Sequence, residues 1–484
     1  MTALHHRPAT QLAALIRRRK IGCLELLDHY LARVDRFNPA INAIVWMDRA
    51  GARRRARRAD AALAKGEIWG PLHGLPMTVK EAYDLAGSPS THGIPAWRDN
   101  IAATDSVVVA RLKAAGAVIF GKTNLPYAMA DWQSYNDIYG TTRNPWNTEL
   151  VPGGSSGGSA AALAAGLCAA EAGSDIGSSI RNPAHYTGTF GLKPTWGIVS
   201  QRGHAPPQWL HQPDVAVVGP MARSATDLQL LLDVMAGPDP IDAGAWQLAL
   251  ARPRLKSLKG LRIALKLGDP NVAVEREYAD VLQALAERLA KAGAKVSDRA
   301  VPQVDLTRQH DLYLRLYRAA LSAGTQADIA QWRAALDTPL GRSNERMLRG
   351  MLEGNTLSHR QWLQLANERA HLRQRWAEFF EGWDILLCPA AAGPAWPHDH
   401  AGERWMRKII VNGKPVPVTD QLFWSGISGV VLLPSTVGPA GLTKSGLPLG
   451  YQAIAGHGQD RTALLFSRLV ERECGGFVAP PGCE

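Results

Sequence analysis

Cysteine is scarce in this sequence of 484 residues, and long apolar runs are missing. The five cysteines, Cys23, Cys168, Cys388, Cys474 and Cys483, are scattered and include no C-x-x-C pair. This spacing argues against a disulfide framework or a zinc site and favours a reducing compartment. No apolar run approaches the roughly 20 residues of a membrane span, and the N-terminus lacks a signal-peptide cleavage pattern. We therefore expect a cytoplasmic protein that does not bind membranes.

Acidic residues are outnumbered by basic ones, 43 against 54, which leaves a formal net charge of +11. The densest basic run, RRRARR at 53–58, lies in an alanine-rich helical pattern without interleaved aromatic residues. A solvated helix face explains that run more simply than a nucleic-acid patch. We therefore expect no nucleic-acid partner.

Helical and strand patterns alternate along the chain. Helical patterns fill residues 8–65, and a long helix followed by a short apolar strand recurs at 278–297 and 362–388. Such alternation is typical of an α/β protein. There are no internal repeats or low-complexity linkers. We predict one large domain with a central mixed β-sheet covered by helices and a helical subdomain embedded in the C-terminal half.

Two short motifs match known patterns in the wrong context. Residues 116–123 fit the phosphate-binding pattern G-x-x-x-x-G-K-[ST], but a helix precedes them and AVIF between the glycines reads as a strand. Residues 154–158 fit the G-x-S-x-G elbow, yet no apolar strand precedes them. A nucleotide hydrolase and a Ser-His-Asp esterase, with Ser156 as nucleophile and His185 or His204 as base, stay open as alternatives.

Three segments together carry residues suited to serine chemistry. They are GLPMTVKEAY with Lys80, PGGSSGGS with Ser155 and Ser156, and GSDIGSSIR with Ser179. A serine hydroxyl is a weak nucleophile and needs an activating base. In this order and followed by GLKPT, these segments resemble the motifs of the amidase signature family, including its spacing of 24 residues between the two serines. The similarity covers about 65–240 and resumes weakly at 427–456.

The resemblance implies a role for each matching residue. Ser179 would be the nucleophile that forms the acyl-enzyme, Ser155 a bridging serine on a cis peptide, and Lys80 the base, with no metal and no cofactor. The resemblance also implies a backbone oxyanion hole and three supporting side chains. The hole would use Ile176, Gly177, Ser178 and Ser179, and the supporting residues would be Ser156, Asp175 and Arg181.

Physical chemistry makes the lysine plausible as a base. A free lysine, with a pKa of about 10.4, is protonated at neutral pH. Burial disfavours the ammonium form, and Leu75, Met77 and Val79 offer apolar surroundings for Lys80. One departure from the family pattern concerns Ser178, where glycine is common. If that position needs a positive φ, serine adds strain there.

The resemblance also implies how the chain is divided into regions and which class of reaction it catalyses. It implies an amidohydrolase acting on a small-molecule amide-type substrate. Hydrolysis of carbamates (a urethanase), anilides or esters, and a tRNA amidotransferase subunit, are alternatives; a homodimer is left open. Six aromatic side chains are candidates for an apolar pocket: Trp132, Tyr135, Tyr139, Trp209, Trp405 and Trp424. The expected regions are an N-terminal helical segment (1–65), the catalytic core (66–245), a variable, mostly helical region or cap (246–425), and C-terminal strands and a helix (426–484).

Overall fold

The computed structural model describes residues 3–322, 329–338 and 346–484. Over these ranges the chain forms fourteen α-helices and fifteen β-strands. The helices are α1 Ala9–Arg17, α2 Cys23–Ile41, α3 Arg49–Ala64, α4 Val107–Ala114, α5 Gly157–Ala164, α6 Arg181–Thr187, α7 Ala225–Met235, α8 Arg276–Lys291, α9 Leu306–Leu321, α10 Ile329–Leu336, α11 Arg346–Asn355, α12 His359–Gly382, α13 Leu422–Gly429 and α14 Asp460–Cys474. The strands are β1 Ile44–Met47, β2 Pro76–Lys80, β3 Val118–Thr123, β4 Tyr135–Asn136, β5 Gly140–Thr141, β6 Glu171–Asp175, β7 Phe190–Lys193, β8 Val217–Ala222, β9 Arg262–Leu265, β10 Lys295–Ser297, β11 Ile385–Pro389, β12 Lys408–Val411, β13 Lys414–Pro417, β14 Ser435–Leu442 and β15 Pro448–Ile454.

Eleven of the described strands form one mixed sheet in the order β1-β3-β2-β6-β8-β7-β14-β15-β11-β9-β10. Strand β2 runs parallel to both β3 and β6, whereas β6, β8, β7, β14 and β15 pair antiparallel in turn. Helices cover this sheet, so the prediction of one α/β domain with a central mixed sheet is confirmed. Because β2 is hydrogen-bonded on both edges and buried on both faces, the side chain at its carboxyl end lies inside the protein.

The N-terminal helices pack on the same hydrophobic core as the following residues. Leu12 of α1, Leu27 of α2 and Ala56 of α3 belong to one buried cluster with Val79 and Leu228. Strand β1, which the helical pattern over 8–65 concealed, lies between α2 and α3 and pairs with β3. This segment is therefore joined to the sheet by a strand as well as by helices.

The region expected to be mostly helical also supplies sheet strands. Strands β9, β10 and β11 lie within it and form one edge of the main sheet. Part of the region 246–425 therefore completes the main sheet, and the division of the chain into four regions stays a prediction. Helices α9 and α12 pack with α13 around Tyr313, Trp376 and Trp424, beside the loop that follows β6.

Two expectations about the surface can be compared with the structure. No helix in the described ranges is both long enough and apolar enough to cross a membrane. In the basic run, Arg53 pairs with Asp28 at 2.7 Å, and Arg55 donates to the carbonyl of Ala117 at 2.7 Å. These two arginines thus contact the protein itself.

Candidate active site

The side chain of Lys80, at the carboxyl end of β2, reaches a cluster of serine hydroxyls. Its Nζ lies 2.6 Å from Ser155 Oγ, 3.0 Å from Ser174 Oγ and 3.2 Å from Ser156 Oγ. Lys80 is fully buried at the carboxyl end of β2, and Ser174 lies on the neighbouring strand β6. Sequence analysis missed Ser174, although it directly precedes Asp175 in a matching segment.

Burial changes the acidity of Lys80. It lowers the pKa of Lys80 to about 7, although the carboxylates of Asp175, Glu171 and Glu81 oppose that shift. Desolvation penalises the ammonium form because the surrounding strands provide little solvation. A substantial fraction of the amine is therefore neutral at neutral pH, as a base requires.

The glycine–serine segment brings Ser155 against this amine. The peptide bond between Gly154 and Ser155 is cis, as the resemblance implied. A side chain at Gly154 would come within 2.3 Å of the Asp131 carbonyl oxygen, so only glycine fits. Ser156 then precedes α5, and its hydroxyl bonds the backbone of Ser174 on β6.

Asp175 organises the loop that carries Ser179. Its Oδ1 accepts the N–H of Ser178 at 3.0 Å, and its Oδ2 accepts the N–H of Ile180 at 3.0 Å. The Ser178 N–H is therefore already engaged, which removes it from the predicted set of oxyanion donors. Ser178 has φ +74°, so the departure from glycine does fall at a left-handed position.

Arg181 holds this loop to two other elements. Its Nη2 pairs with Asp175 Oδ1 at 2.8 Å, and both side chains are fully buried. Its Nη1 donates to the Ser425 carbonyl and the Ser428 hydroxyl of α13 and to the Gln452 side chain of β15. Burial alone would raise the pKa of Asp175, but the charge and hydrogen bonds of Arg181 hold it below its usual value.

Two aromatic side chains orient the peptide groups ahead of Ser179. The hydroxyl of Tyr313 donates to the Ile176 carbonyl at 2.8 Å, and Trp132 Nε1 donates to the Gly177 carbonyl at 2.7 Å. No described residue accepts a hydrogen bond from the N–H of Ile176, Gly177 or Ser179. These donors remain available to a ligand oxygen.

A cleft of about 600 Å³, counting the space open at its mouth, lies over Ser179. Of the six aromatic candidates, only Trp132 and Trp405 line it. Tyr135, Tyr139, Trp209 and Trp424 lie elsewhere, Trp424 being fully buried in the core. The lining consists of Met129, Ala130, Asp131, Trp132, Ile176, Gly177, Ser179, Tyr317, Arg318, Met347, Arg404, Trp405, Val418, Thr419 and Leu422.

The histidines of the alternative triad do not reach the serines. His185 contacts the Gly393 carbonyl through Nε2 and accepts the Gly450 N–H through Nδ1. His204 packs edge-on against Tyr83, with ring centroids 4.6 Å apart. Both histidines are buried, and burial lowers the pKa of His185 to about 4. Neither ring therefore supports a Ser-His-Asp arrangement.

The phosphate-loop pattern folds as the residues around it predicted. Helix α4 precedes it, and Val118–Thr123 is a buried strand of the sheet rather than a loop. Lys122 donates to the Pro89 carbonyl and to Ser90 Oγ. This motif offers no cradle for phosphates. In the described ranges, no group of three or more potential metal ligands comes together.

The chain is similar to known amidases in both sequence and fold. The family described as Amidase matches residues 25–464. The chain is 31% identical to an acylamidase of Rhodococcus erythropolis, covering 95% of this chain and 94% of that protein. It is 32% identical to an indoleacetamide hydrolase of Bradyrhizobium diazoefficiens, covering 96% of this chain and 86% of that protein. The structure of a bacterial aryl acylamidase superimposes with a TM-score of 0.82 at 25% identity, covering 98% of this chain and 97% of that one. The chain thus belongs to the amidase signature family, and it is a hydrolase of carbon–nitrogen bonds other than peptide bonds.

Proposed function

We propose that this enzyme cleaves carboxylic amides through an acyl-enzyme on Ser179, with Ser155 and Lys80 as a proton relay. The observation that carries the proposal is the 2.6 Å contact between Lys80 Nζ and Ser155 Oγ in a buried site. A lysine with a pKa near 7 can both accept and return a proton at neutral pH. Ser155, in turn, belongs to the segment that contacts Ser179, since the Ser156 N–H donates to the Ser179 carbonyl at 3.1 Å.

The first half-reaction forms the ester. Ser179 Oγ attacks the carbonyl carbon, its proton passes to Ser155, and the Ser155 proton passes to Lys80. The tetrahedral oxyanion accepts hydrogen bonds from the free N–H groups of Ile176, Gly177 and Ser179. Each such preorganised donor typically lowers the activation barrier by about 3 kcal/mol. Return of the proton through Ser155 to the nitrogen then releases the amine.

The second half-reaction regenerates the enzyme. Water attacks the acyl-enzyme carbonyl while the same relay takes up its proton, and the collapse of the intermediate returns a proton to Ser179. Ser174 and Ser156 orient the lysine amine, and Asp175 with Arg181 shapes the loop. Protonating the leaving group matters more for amides than for esters, because amines are poor leaving groups.

The substrate we propose is a small amide with an apolar or aromatic acyl or amine part. Apolar side chains such as Trp132, Leu422 and Met347 line much of the cleft. Similarity to an acylamidase and to an aryl acylamidase supports amides and anilides. Carbamates and esters with the same acyl group remain alternatives within one mechanism. We propose an enzyme that works without tRNA or a partner subunit, and we leave the homodimer as a prediction.

A matched substrate panel tests this proposal. One acyl group is presented as a primary amide, an anilide, an aryl carbamate and an aryl ester to the wild type, Lys80→Ala, Ser155→Ala and Ser179→Ala. We expect Ser179→Ala to lose activity by about 10³-fold or more on every substrate. Lys80→Ala should lose amide hydrolysis more than ester hydrolysis.

One further variant separates the alternative triad. His204→Gln should keep its activity on amides, because no serine among the described residues forms a hydrogen bond with that ring. Full activity in Ser179→Ala, or loss of activity in His204→Gln with an active Lys80→Ala, would contradict the relay.

A further inference from the structure

A buried arginine without a partner lies in the same cleft as Ser179. Arg318 belongs to the last turn of α9 and is 5% exposed. Among the described residues none forms a hydrogen bond or ion pair with its side chain, and its Nε is buried and unpaired. Burying a charge without a partner is costly, so folded proteins rarely leave a buried charge unpaired.

Other buried arginines of the described chain donate hydrogen bonds to protein groups, although the Nε of Arg223 is also buried and unpaired. Arg181 pairs with Asp175 and bonds three further groups. Arg223 donates to the Leu163 and Cys168 carbonyls, and Arg33 donates to the carbonyls of Ala165, Gly166 and Cys483. Arg318 differs from them because it lines the cleft over Ser179 and its side chain donates to no described residue. A ligand in the cleft is therefore the candidate acceptor for the N–H groups of the Arg318 guanidinium.

The remaining charges of the cleft reinforce this positive site. Arg404 also lines the cleft and has no ion-pair partner among the described residues. Asp131 is the one carboxylate in the described lining. It forms an ion pair with Arg407, whose Nη1 lies 2.6 Å from Asp131 Oδ2. Arg404 acts on Asp131 only through its charge, without a close ion pair, and Arg318 has no carboxylate in contact among the described residues.

The helix that carries Arg318 also contacts the oxyanion loop. Tyr313 bonds the Ile176 carbonyl, and a Cβ built on Gly177 would lie 3.5 Å from the Tyr317 ring. Arg318 is the next residue along α9. A side chain at Gly354 of α11 would come within 2.6 Å of Arg318 Cβ, so the two helices approach closely there. The backbone and Cβ of Arg318 are therefore held in a fixed relation to the loop that carries Ser179.

We propose that Arg318, assisted by Arg404, binds a carboxylate carried by the substrate, so that the enzyme prefers amides with an anionic group. A guanidinium presents paired N–H donors that match the two oxygens of a carboxylate. This inference rests on the proposed function, since it assigns the substrate class of the same site. It predicts turnover of amides whose acyl or amine part bears a carboxylate.

Paired anilides test the preference. One pair carries the charge in the amine part, as 4-(hexanoylamino)benzoate against its 4-methyl analogue. The other carries it in the acyl part, as a dicarboxylic acid monoanilide against the analogue with methyl for carboxylate. We expect the wild type to favour one charged member by about 10-fold or more in kcat/KM. In Arg318→Met this preference should fall by about 10- to 100-fold while the neutral member keeps its rate within about threefold.

Two control variants test whether the effect depends on the guanidinium of Arg318 itself. Arg318→Lys, which keeps the charge but loses the fork, should fall between the wild type and Arg318→Met. Arg315→Met on the same helix removes an arginine that pairs with Glu353 outside the cleft, and it should leave the preference unchanged. Equal preference in wild type and Arg318→Met, or no preference in either pair, would overturn the assignment.

Binding separates this inference from the mechanism. In a Ser179→Ala background, calorimetry of the charged anilides should give tighter binding than that of their neutral analogues, and Arg318→Met should abolish the difference. If Ser179→Ala still hydrolysed anilides, the proposed mechanism would fail whereas the carboxylate preference could be measured on its own. Equal affinity for charged and neutral members would refute the Arg318 site even with an intact mechanism.

Discussion

Lys80 shows how burial changes the acidity of a single residue. Its pKa of about 7 results mainly from desolvation, which the nearby carboxylates only partly offset. In the relay we propose, the neutral amine is the active form, so kcat/KM for an amide should rise with pH and level off above about pH 7. Below that value the rate should fall about tenfold per pH unit. A profile that is flat between pH 5 and 8 would contradict this prediction, and the residual activity of Lys80→Ala should lack the inflection.

Ser178 illustrates strain in one backbone position. The residue has φ +74°, and its buried hydroxyl has no hydrogen-bond partner in the described part of the chain. A left-handed conformation costs a non-glycine residue about 1 kcal/mol. Ser178→Gly should therefore raise the free energy of unfolding by roughly 1 kcal/mol. Chemical denaturation measures this gain, and Ser178→Ala, which keeps the Cβ, should gain less; a less stable glycine variant would refute the argument.

At the level of elements, α9 sets the position of the loop after β6. The Tyr313 hydroxyl bonds the Ile176 carbonyl at 2.8 Å, so Tyr313→Phe leaves a peptide group of that loop unrestrained. We expect kcat for amides to fall about tenfold with little change in KM, because the oxyanion contacts form in the transition state. Steady-state kinetics checks this split between the two constants.

A matched variant separates positioning from stability. Tyr278→Phe on α8 loses two buried bonds away from the cleft, the donation to the Gly450 carbonyl and the acceptance of the Ala390 N–H. It should lower the unfolding free energy by about 2 kcal/mol, at least as much as Tyr313→Phe does, and leave kcat unchanged. Equal kcat losses in the two variants would indicate a general effect of destabilisation instead.

On the scale of the whole molecule, buried arginines tie distant segments together. Arg33 of α2 bonds the carbonyls of Ala165 and Gly166 after α5 and that of Cys483. Arg33→Met would leave three carbonyls without this donor and should cost about 3 kcal/mol of stability. Thermal unfolding should detect the loss, while kcat per folded enzyme stays the same. Arg36→Met, at an exposed position on the same helix, should change stability by less than about 0.5 kcal/mol.

Local patterns predicted some elements better than others. Helix α8 with β10 and helix α12 with β11 were predicted, because long amphipathic helices followed by short apolar runs are strong signals. Strand β1 was missed because four residues between two long helices carry too little periodicity. The sequence did not predict that β9 joins the main sheet. Its partners β10 and β11 lie far from it in sequence, and a local pattern carries no information about such distant pairing.

The sequence by itself determined the family, the fold class and the ordered set of Lys80, Ser155 and Ser179, because these residues lie in contiguous motifs. Only the tertiary structure decided which groups surround them. Ser174 and Tyr313 reach the site through strand pairing and helix packing across long chain separations. The Ser178 N–H turned out to be occupied, and Arg318 unpaired, because hydrogen-bond partners depend on distances that only folding creates.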